Sequence, residues 1–511
     1  MPRRNRPVED NQQHIRIPLI GTYNTRTFDS STGFGVLSGV VGVGIVGSMI
    51  VGSLFTGNRD QRFVNCFPET IRNPITNKVH YYLTKRPGFD THTTPAAGNI
   101  GTAIKVWLGQ GSGAKIMSAF GDTNSTIYDG TSSIGTTVGV ARDITETNAT
   151  GTATLVIPCE NGNAYYYPDG GALTQITDVD FPSTNIGTFV HMDGYAFIMT
   201  TLGDIYNSDL NSISSWSADN FVSASQSTDQ GVGLIRFRNY IVAFGKESAE
   251  LFWNAGNPTG SPLTRIDNGF IRIGAISSRA MCTVENNIYW VSSSDGSSYA
   301  VYTMDGTLPR RISSPQIETY ISILAPNGSV DLTGVRLFGK TFIFVQVSGP
   351  ATFVYVVEDD MWHEWSSTTR LWYKFTGNTA TSNLLHSISR DGISGKIYKM
   401  TPSNLLFTDD GTSYVMQLQT SKFDADNNYN KFGDRLELIG DKQVSTTNIV
   451  VDWTDDDYNT YADGVTLDMS QDNPVIHSLG SFRRRAFRLT NESSTPVRIE
   501  ALELDYRQGI R

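Results

Sequence analysis

Short aromatic or β-branched runs, joined in pairs by a turn, recur along most of this chain and constrain its fold more than any other feature. Runs of this composition on either side of a turn predict β-hairpins. The clearest copies are "NAYYYPDGGALTQI", "GYAFIMTTLGDIYNSD", "NYIVAFGKESAELFW", "NNIYWVSSSDGSSYAVYTMDG" and "KTFIFVQVSGPATFVYVVED". The turns at Gly194, Asn239, Asn287 and Gly339 follow one another at intervals of 45, 48 and 52 residues.

This interval is close to the repeat length of about 40 to 50 residues that is typical of β-propeller blades. Residues 61–400 are therefore predicted to form a propeller-like body of about six or seven blades. An irregular sandwich of hairpins is the alternative, because long helical periodicity is absent and the strands alone do not fix how the hairpins pack.

The rhythm changes after residue 400, where strands with period-two alternation predict a β-sandwich over residues 401–511. Those strands include "DRLELIGD", "TNIVVDW" and "VRIEALELDY". Residues 1–60 are predicted to be an N-terminal arm. The expected fold class is all-β, with a propeller, a C-terminal sandwich and an arm that carries an apolar Gly-rich loop.

Charge and motifs argue against several functional classes. The formal net charge is -10 and like charges form no long block, so wrapping of DNA by counterion release is not expected. The sequence contains no nucleophile elbow, no Walker loop and no zinc-protease motif. We therefore expect no catalytic residue, no cofactor and no metal site, and no enzyme activity.

A propeller glycosidase or a carbohydrate-binding adhesin is the main alternative, because several glycosidases place paired carboxylates at the mouth of a propeller. Such an enzyme would need two acids on separate strands. The acid pairs Asp359/Asp360 and Asp455 to Asp457 are adjacent in sequence rather than on separate blades. The stretch "DDGTSY" around Asp409 resembles half of a sialidase Asp-box, but a D-G hairpin turn is the simpler interpretation. The aromatic cluster Trp362, His363, Trp365 and Trp372 is interpreted as core rather than as a sugar platform.

Four arginines stand close together in "SFRRRAFRLT". Alternation along a single strand would divide the charged and aromatic side chains between both faces, with Arg483, Arg485 and Phe487 on one and Phe482, Arg484 and Arg488 on the other. Charge on both faces predicts an edge strand or a subunit interface, and phosphate contact is the second interpretation. The candidate interface or DNA-contact residues are Arg483, Arg484, Arg485 and Arg488.

The apolar stretch "FGVLSGVVGVGIVGSMIVGSLF", residues 34–55, lies within the uncharged segment 30–58. Its length suits a membrane-spanning helix, although eight glycines between residues 33 and 57 weaken helix formation. Burial against a neighbouring subunit is a second interpretation.

A channel gate is the third and favoured interpretation of this stretch, because a ring of apolar loops blocks ions by dewetting and glycine lets the loops swing aside. The candidate gate residues are Phe34, Val36, Leu37, Val40, Val41, Val43, Ile45, Val46, Met49, Ile50, Val51, Leu54 and Phe55.

Residues 233–277, "GLIRFRNYIVAFGKESAELFWNAGNPTGSPLTRIDNGFIRIGAIS", resemble the tail hub or nozzle proteins of short-tailed bacteriophages, also called packaged-DNA stabilisation proteins or tail accessory factors. Further similar stretches are "RFVNCFPE", "TMDGTLPRRISSPQIETYI", "SKFDADN" and "LGSFRRRAFRLT" to "ALELDY". They follow the family's order over most of residues 60–511, whereas residues 30–58 depart from the family's pattern.

The resemblance implies a virion protein of the tail. It implies a homohexamer below the portal and its adaptor that retains packaged double-stranded DNA, conducts it during ejection, and receives tail fibres or spikes and possibly a tail-tip plug. A membrane-inserting tail protein, in contact with the host membrane at ejection, is a further alternative.

Overall fold

The computed structural model describes residues 12–19, 62–72, 79–109, 113–148, 150–293, 299–325, 329–337, 339–347, 351–366, 372–378, 384–400 and 406–509. These residues are almost entirely strands and turns, so the predicted all-β class is confirmed. Contacts divide the chain into two compact units: unit 1 contains residues 1–87, 363–368 and 405–511, and unit 2 contains residues 88–362 and 369–404.

The strands are numbered in chain order. The first group is β1 (Gln12–Pro18), β2 (Arg62–Val64), β3 (Cys66–Arg72), β4 (Val79–Lys85), β5 (Asp90–Thr93), β6 (Gly101–Trp107), β7 (Lys115–Phe120), β8 (Thr126–Asp129), β9 (Ser132–Thr136), β10 (Thr145–Thr147), β11 (Thr154–Pro158), β12 (Ala164–Pro168), β13 (Thr174–Gln175), β14 (Asn185–Met192), β15 (Tyr195–Thr200), β16 (Asp204–Ser208) and β17 (Trp216–Ser223).

The middle group is β18 (Gly231–Phe237), β19 (Tyr240–Gly245), β20 (Ala249–Asn254), β21 (Leu263–Ile271), β22 (Met281–Val284), β23 (Asn287–Ser292), β24 (Ala300–Asp305), β25 (Leu308–Arg311), β26 (Asp331–Leu337), β27 (Lys340–Gln346), β28 (Ala351–Val356), β29 (Met361–Ser366), β30 (Trp372–Asn378), β31 (Leu384–Ser389) and β32 (Ile397–Met400). The helix α1 (Pro315–Leu324) lies between β25 and β26, and the Ser314 side chain caps its N-terminus.

The last group is β33 (Thr408–Asp409), β34 (Thr412–Ser413), β35 (Met416–Gln419), β36 (Lys431–Gly440), β37 (Asn448–Thr454), β38 (Val465–Asp468), β39 (Val475–Phe482), β40 (Ala486–Asn491) and β41 (Arg498–Gln508).

Unit 2 is a propeller, as predicted. Its described residues form seven successive meanders: blade 1 is β6–β9, blade 2 is β10–β13, blade 3 is β14–β17, blade 4 is β18–β21, blade 5 is β22–β25, blade 6 is β26–β28, and blade 7 is β30–β32 with β5. Strand β29 begins in unit 2 and ends in unit 1. The early strand β5 pairs with the late strand β32, so a segment from the start of the unit completes its last blade.

The turns of the hairpins follow the predicted chemistry. Asp193 and Gly194 join β14 to β15 with φ of 52° and 84°, and positive φ at both central residues is the signature of a type I′ turn. Asp410 and Gly411 join β33 to β34 with φ of 49° and 84°. The half Asp-box is therefore a D-G hairpin turn.

Neighbouring blades share apolar cores. Phe244 and Leu251 of blade 4 pack in one buried cluster with Trp290 and Tyr302 of blade 5. Equivalent clusters join blades 1 and 2, blades 2 and 3, and blades 3 and 4. Ile388 and Ile397 of blade 7 pack with residues of blade 1, so the blades close into a ring.

Unit 1 contains two larger sheets. One has the strand order β3–β4–β41–β36–β39, and β1 pairs with β41; the other includes β2–β35–β40–β37–β38. The buried residues alternate along strands of both sheets, as in Leu436 and Leu438 of β36 and Ile449 and Val451 of β37. This alternation is typical of a sandwich with a shared interior.

The expectation of a single strand through the arginine segment is wrong. Strand β39 ends at Phe482 and pairs with β36, whereas β40 begins at Ala486 and lies between β35 and β37. The chain passes from one sheet to the other at residues 483–485, so period-two alternation does not hold across this segment. Strand β40 has partners on both sides and is not an edge strand, whereas β39 is the last strand of its sheet among the described residues.

Candidate functional site

The thirteen candidate gate residues, from Phe34 to Phe55, lie outside the described residues, and the gate remains a prediction. Within the described ranges, no helix has the length and apolar character needed to span a bilayer.

Residues 483–485, which we name the arginine turn, divide into buried and exposed side chains. Arg485 is 2% exposed, and its guanidinium binds the Asp455 carboxylate through Nε at 2.8 Å and Nη2 at 2.7 Å. Its Nη1 donates to the Leu479 carbonyl at 2.6 Å, and the guanidinium lies 4.3 Å from the centre of the Phe482 ring. Arg485 therefore anchors the turn from inside unit 1.

Arg488 is also engaged by its own chain. Its Nη2 donates to Asp452 Oδ2 at 2.6 Å, and its guanidinium stacks 3.7 Å from the centre of the Tyr461 ring. A planar guanidinium suits this combination of a carboxylate and an aromatic face. The contacts with Asp452 and Tyr461 give Arg488 a role inside unit 1.

Arg483 and Arg484 are exposed, and the backbone of their turn is bound by a buried lysine. The buried Lys431 ammonium donates to the carbonyls of Asn427 at 2.9 Å, of Tyr429 at 3.0 Å and of Arg483 at 3.0 Å. Burial lowers the pKa of Lys431, and the three carbonyls hold its ammonium in place.

The exposed side chains of the turn have only light contacts with their own chain. Arg483 Nε donates to Asn430 Oδ1 at 3.1 Å, and Arg484 lies 3.5 Å from Asp457.

Aromatic rings are exposed beside the arginine turn. Phe432 is 44% exposed and stands opposite Ser481 in the β36–β39 register, and Tyr429 is 39% exposed. Exposed Arg and aromatic side chains together are characteristic of macromolecular interfaces. Of the four predicted arginines, the structure thus presents Arg483 and Arg484 to solvent and commits the other two to internal ion pairs.

The acids considered for glycosidase chemistry bind neighbouring groups of their own chain. Asp359 accepts from Lys340 Nζ at 2.6 Å, and Asp360 accepts from the Tyr355 hydroxyl at 2.5 Å. Hydrogen bonds from Thr460 and Thr454 lower the pKa of Asp456 to about 2, in a turn where its carboxylate also accepts from Asn459.

Asp409 of the half Asp-box is buried in the interior of unit 1. Its carboxylate receives two hydrogen bonds from Arg86, at 3.0 and 2.7 Å, and both side chains are 1% exposed or less. Arg86 Nε donates to Asn65 Oδ1 at 2.9 Å, and the guanidinium stacks 3.9 Å from the centre of the Tyr414 ring. This arrangement joins segments that are more than 300 residues apart.

The aromatic cluster divides between packing and hydrogen bonding. Trp365 is fully buried and lies beside Arg86, and His363 is 3% exposed and packs against Phe63. Trp362 Nε1 donates to the Ile312 carbonyl at 2.9 Å. These contacts agree with the core interpretation for those residues, and the Trp372 side chain lies outside the described part of the chain.

A second charged site, missed by the sequence analysis, lies at the centre of the propeller. The first strands of most neighbouring blades contact each other, so the segments that enter them lie close together at one end of the propeller's centre. We name the charged residues there the hub cluster: Arg142, Asp143, Glu160, Arg279, Asp331, Lys374 and Arg390.

Lys374 is the central member of the hub cluster. Its Nζ donates to the Arg142 carbonyl at 2.5 Å and lies 3.9 Å from Asp143. Burial lowers the pKa of Lys374, the nearby Asp143 and Asp331 oppose that change, and Arg279 and Arg390 reinforce it. Its φ of 47°, at a bulge in β30, is unusual for a residue other than glycine.

Arg142 connects three further segments. Its Nη1 donates to the Ile186 carbonyl at 2.7 Å and reaches the Ser278 hydroxyl at 3.5 Å. Burial lowers the pKa of Arg142 as well. A Cβ at residue 187, where Gly187 has a φ of 72°, would lie 2.8 Å from Arg142 Cδ, so glycine makes room for this side chain.

The remaining members of the hub cluster form two ion pairs. Arg279 pairs with Glu160, and Arg390 Nη1 lies 3.3 Å from Asp331 Oδ2. A sequence signal for the cluster is the basic residue that stands just before the first strand of blade 2 and again of blade 5, at Arg142 and Arg279.

The fold places this chain among the all-β proteins that are built around a propeller, here with seven blades. The family described as "Bacteriophage P22 Gp10, beta-propeller", a phage stabilisation family, matches residues 76–403. The chain belongs to this family, and with it to the phage structural proteins that stabilise packaged DNA; it is a virion component.

Similarity to solved structures is low both in sequence identity and in TM-score. Raptor of Chaetomium thermophilum is 13% identical with a TM-score of 0.41, over 63% of this chain and 29% of that one. The designed Ika8 protein is 11% identical with a TM-score of 0.36, over 65% and 87% of the two chains. YCF48 bound to D1 peptide is 12% identical with a TM-score of 0.37, over 63% and 99%. No curated protein sequence matches the chain.

Proposed function

We propose that six copies of this chain form the nozzle or hub of a short phage tail, below the portal and its adaptor. In this position the ring retains packaged double-stranded DNA and conducts it during ejection. The observation that carries the proposal is the match of residues 76–403 to the phage stabilisation family. The role is structural and not enzymatic.

The arginine turn supports an assembly role. Lys431 and Arg485 fix its backbone, so the turn has little backbone entropy left to lose on binding, and Arg483 and Arg484 are directed outward. The adjacent Phe432 and Tyr429 supply apolar area beside the charges. We propose that this surface contacts a neighbouring copy or DNA phosphates at the channel wall. Tail fibres or spikes, and a tail-tip plug, are further proposed partners.

The net charge of -10 supports passage of DNA rather than tight binding, because an acidic wall repels phosphates and lets a duplex slide. We propose that the apolar segment 34–55 closes the channel before ejection. In the same proposal the segment contacts the host membrane when the genome leaves.

DNA retention in assembled particles tests the gate. Replacing Val43, Ile45 and Val46 together by Ser makes a polar gate that wets, so these particles should package DNA and then lose it. The measurement is the fraction of particles whose genome stays protected from nuclease.

A matched control replaces two exposed apolar residues by Ser: Val179, which lies between blades 2 and 3, and Leu202 of blade 3. Those particles should retain DNA as wild type does. Wild-type retention by the triple variant would contradict the gate.

A further inference from the structure

The hub cluster holds more cationic than anionic groups. It contains four cationic side chains and three acids, which are Asp143, Glu160 and Asp331. The Asp143 carboxylate is 58% exposed and lies 3.9 Å from Lys374 Nζ. The cluster therefore keeps a net positive charge in a partly buried setting. Buried like charges are costly unless further negative charge approaches them.

One donor of the cluster points to a missing acceptor. The Nε atom of Arg142 is buried and has no hydrogen-bond partner, although Nη1 of the same guanidinium is well engaged. Buried donors in folded proteins are nearly always paired, so an unpaired one requires an explanation. A bound oxyanion would supply the acceptor as well as the charge.

The backbone also indicates a built site. Lys374 adopts the left-handed region, and its amide donates to Gln346 Oε1 at 2.8 Å, which fixes this conformation. Such strain in a residue other than glycine clusters at binding sites. The fold thus directs an ammonium to the point where the arginines of separate blades meet.

We propose that the hub cluster binds a phosphate group at the centre of the propeller. Arg142, Arg279 and Arg390 would donate to its oxygens, and Lys374 would supply a point charge. Guanidinium groups match the geometry of phosphate oxygens. The oxygens of a tetrahedral anion point in three dimensions, as donors from separate blades require, whereas the two oxygens of a carboxylate lie in one plane. The phosphate would be free inorganic phosphate or the terminal phosphate of a nucleic acid strand. The site is independent of the proposed tail role.

Calorimetric titration of the full chain with inorganic phosphate, in chloride buffer of constant ionic strength, tests the site. Wild type should bind one phosphate per chain saturably. The partly exposed substitutions Arg390→Gln and Arg279→Gln should each weaken binding about ten- to hundredfold, as expected for a lost hydrogen bond to a charged group.

The variant Glu160→Gln distinguishes a phosphate site from a network of ion pairs that has only a structural role. This substitution removes one negative charge from the hub cluster and the carboxylate that pairs with Arg279, so phosphate should bind severalfold more tightly than in wild type. The matched control is Arg336→Gln, an ion-paired arginine at the other end of β26 from Asp331, which should leave phosphate binding unchanged.

Two further titrants separate the sources. Tighter binding of a 5′-phosphorylated oligonucleotide than of its 5′-hydroxyl counterpart would identify a strand end, and equal binding of the two would leave free phosphate as the ligand. Absence of saturable phosphate binding, acetate binding as tight as phosphate, unchanged binding in Glu160→Gln, or equal losses in Arg336→Gln and Arg390→Gln would each overturn the proposal.

Discussion

The interiors of the two units are stabilised by different kinds of contact. The propeller repeats one device, an apolar cluster between neighbouring blades, and gathers charge at its centre. Unit 1 instead has charged side chains in its interior: the pair of Arg86 and Asp409, the guanidinium of Arg485, whose partner Asp455 is partly exposed, and Lys431 among three carbonyls. Repetition distributes stability over many similar contacts, whereas single ion pairs concentrate it at a few residues that connect distant segments.

Breaking the Arg86–Asp409 pair should have the largest effect on unit 1. Asp409→Asn leaves a guanidinium buried without its counter-charge, which costs about 3–5 kcal/mol of unfolding free energy. Differential scanning calorimetry should show a lower transition temperature for unit 1 and an unchanged one for the propeller.

The matched control is Asp434→Asn, which removes a carboxylate paired at the surface with Arg507 at 2.8 Å. Its cost should be about 0–1 kcal/mol, as for other exposed pairs. Equal effects of the two substitutions would show that burial of the charge is not what matters.

Trp290→Ala tests the propeller side of the comparison. Trp290 is fully buried between blades 4 and 5, so the variant should lose about 3–5 kcal/mol in the propeller transition alone. Trp253 is 45% exposed, and Trp253→Ala should cost far less. A shift of the unit 1 transition with Trp290→Ala would contradict the separation of the two cores.

Acid should weaken the propeller through the strand that completes blade 7. The pKa of His386 is lowered to about 4, mainly by burial and further by the nearby His92 on β5 and Lys399 on β32. The imidazole rings of His386 and His92 are 5.2 Å apart. The unfolded chain therefore binds more protons between pH 6.5 and about 4.

Propeller stability should thus fall as the pH drops through this window, by about 2–3 kcal/mol in total. Thermal unfolding at several pH values measures the loss. His386→Phe should remove it, whereas His14→Gln, at an exposed site in unit 1, should not. An unchanged acid profile in His386→Phe would refute the role of this ring.

The arginine turn gives the smallest expected change in stability. Arg483→Gln with Arg484→Gln should alter the unfolding free energy by less than about 0.5 kcal/mol, because both side chains are exposed. The double variant should nevertheless assemble less readily than wild type in analytical ultracentrifugation. Arg485→Gln should show the reverse balance, with a clear loss of unit 1 stability.

The propeller was predictable because its signal is local and repeated. Each hairpin can be recognised from its own aromatic runs and turn, and the interval between copies gives the blade length. Strand β5 escaped prediction because "DTHT" has no apolar alternation and its partner β32 lies some 300 residues away. The hub cluster escaped for the same reason, since its members come from separate blades.

The arginine segment shows where local reasoning fails in unit 1. Period-two alternation assumes a continuous strand, but the buried guanidinium of Arg485 and the Lys431 bond to the Arg483 carbonyl stabilise a bend. Neither contact can be predicted from the ten residues of the arginine segment alone. The apolar segment 34–55 remains a sequence-based prediction.

Electron cryomicroscopy of the intact virion tests the central claim most directly. The account predicts a six-fold ring of this chain on the tail axis, below the portal and adaptor, with genome density ending at the ring and residues 34–55 at the axis. A single copy, or a ring placed away from the path of the DNA, would contradict it.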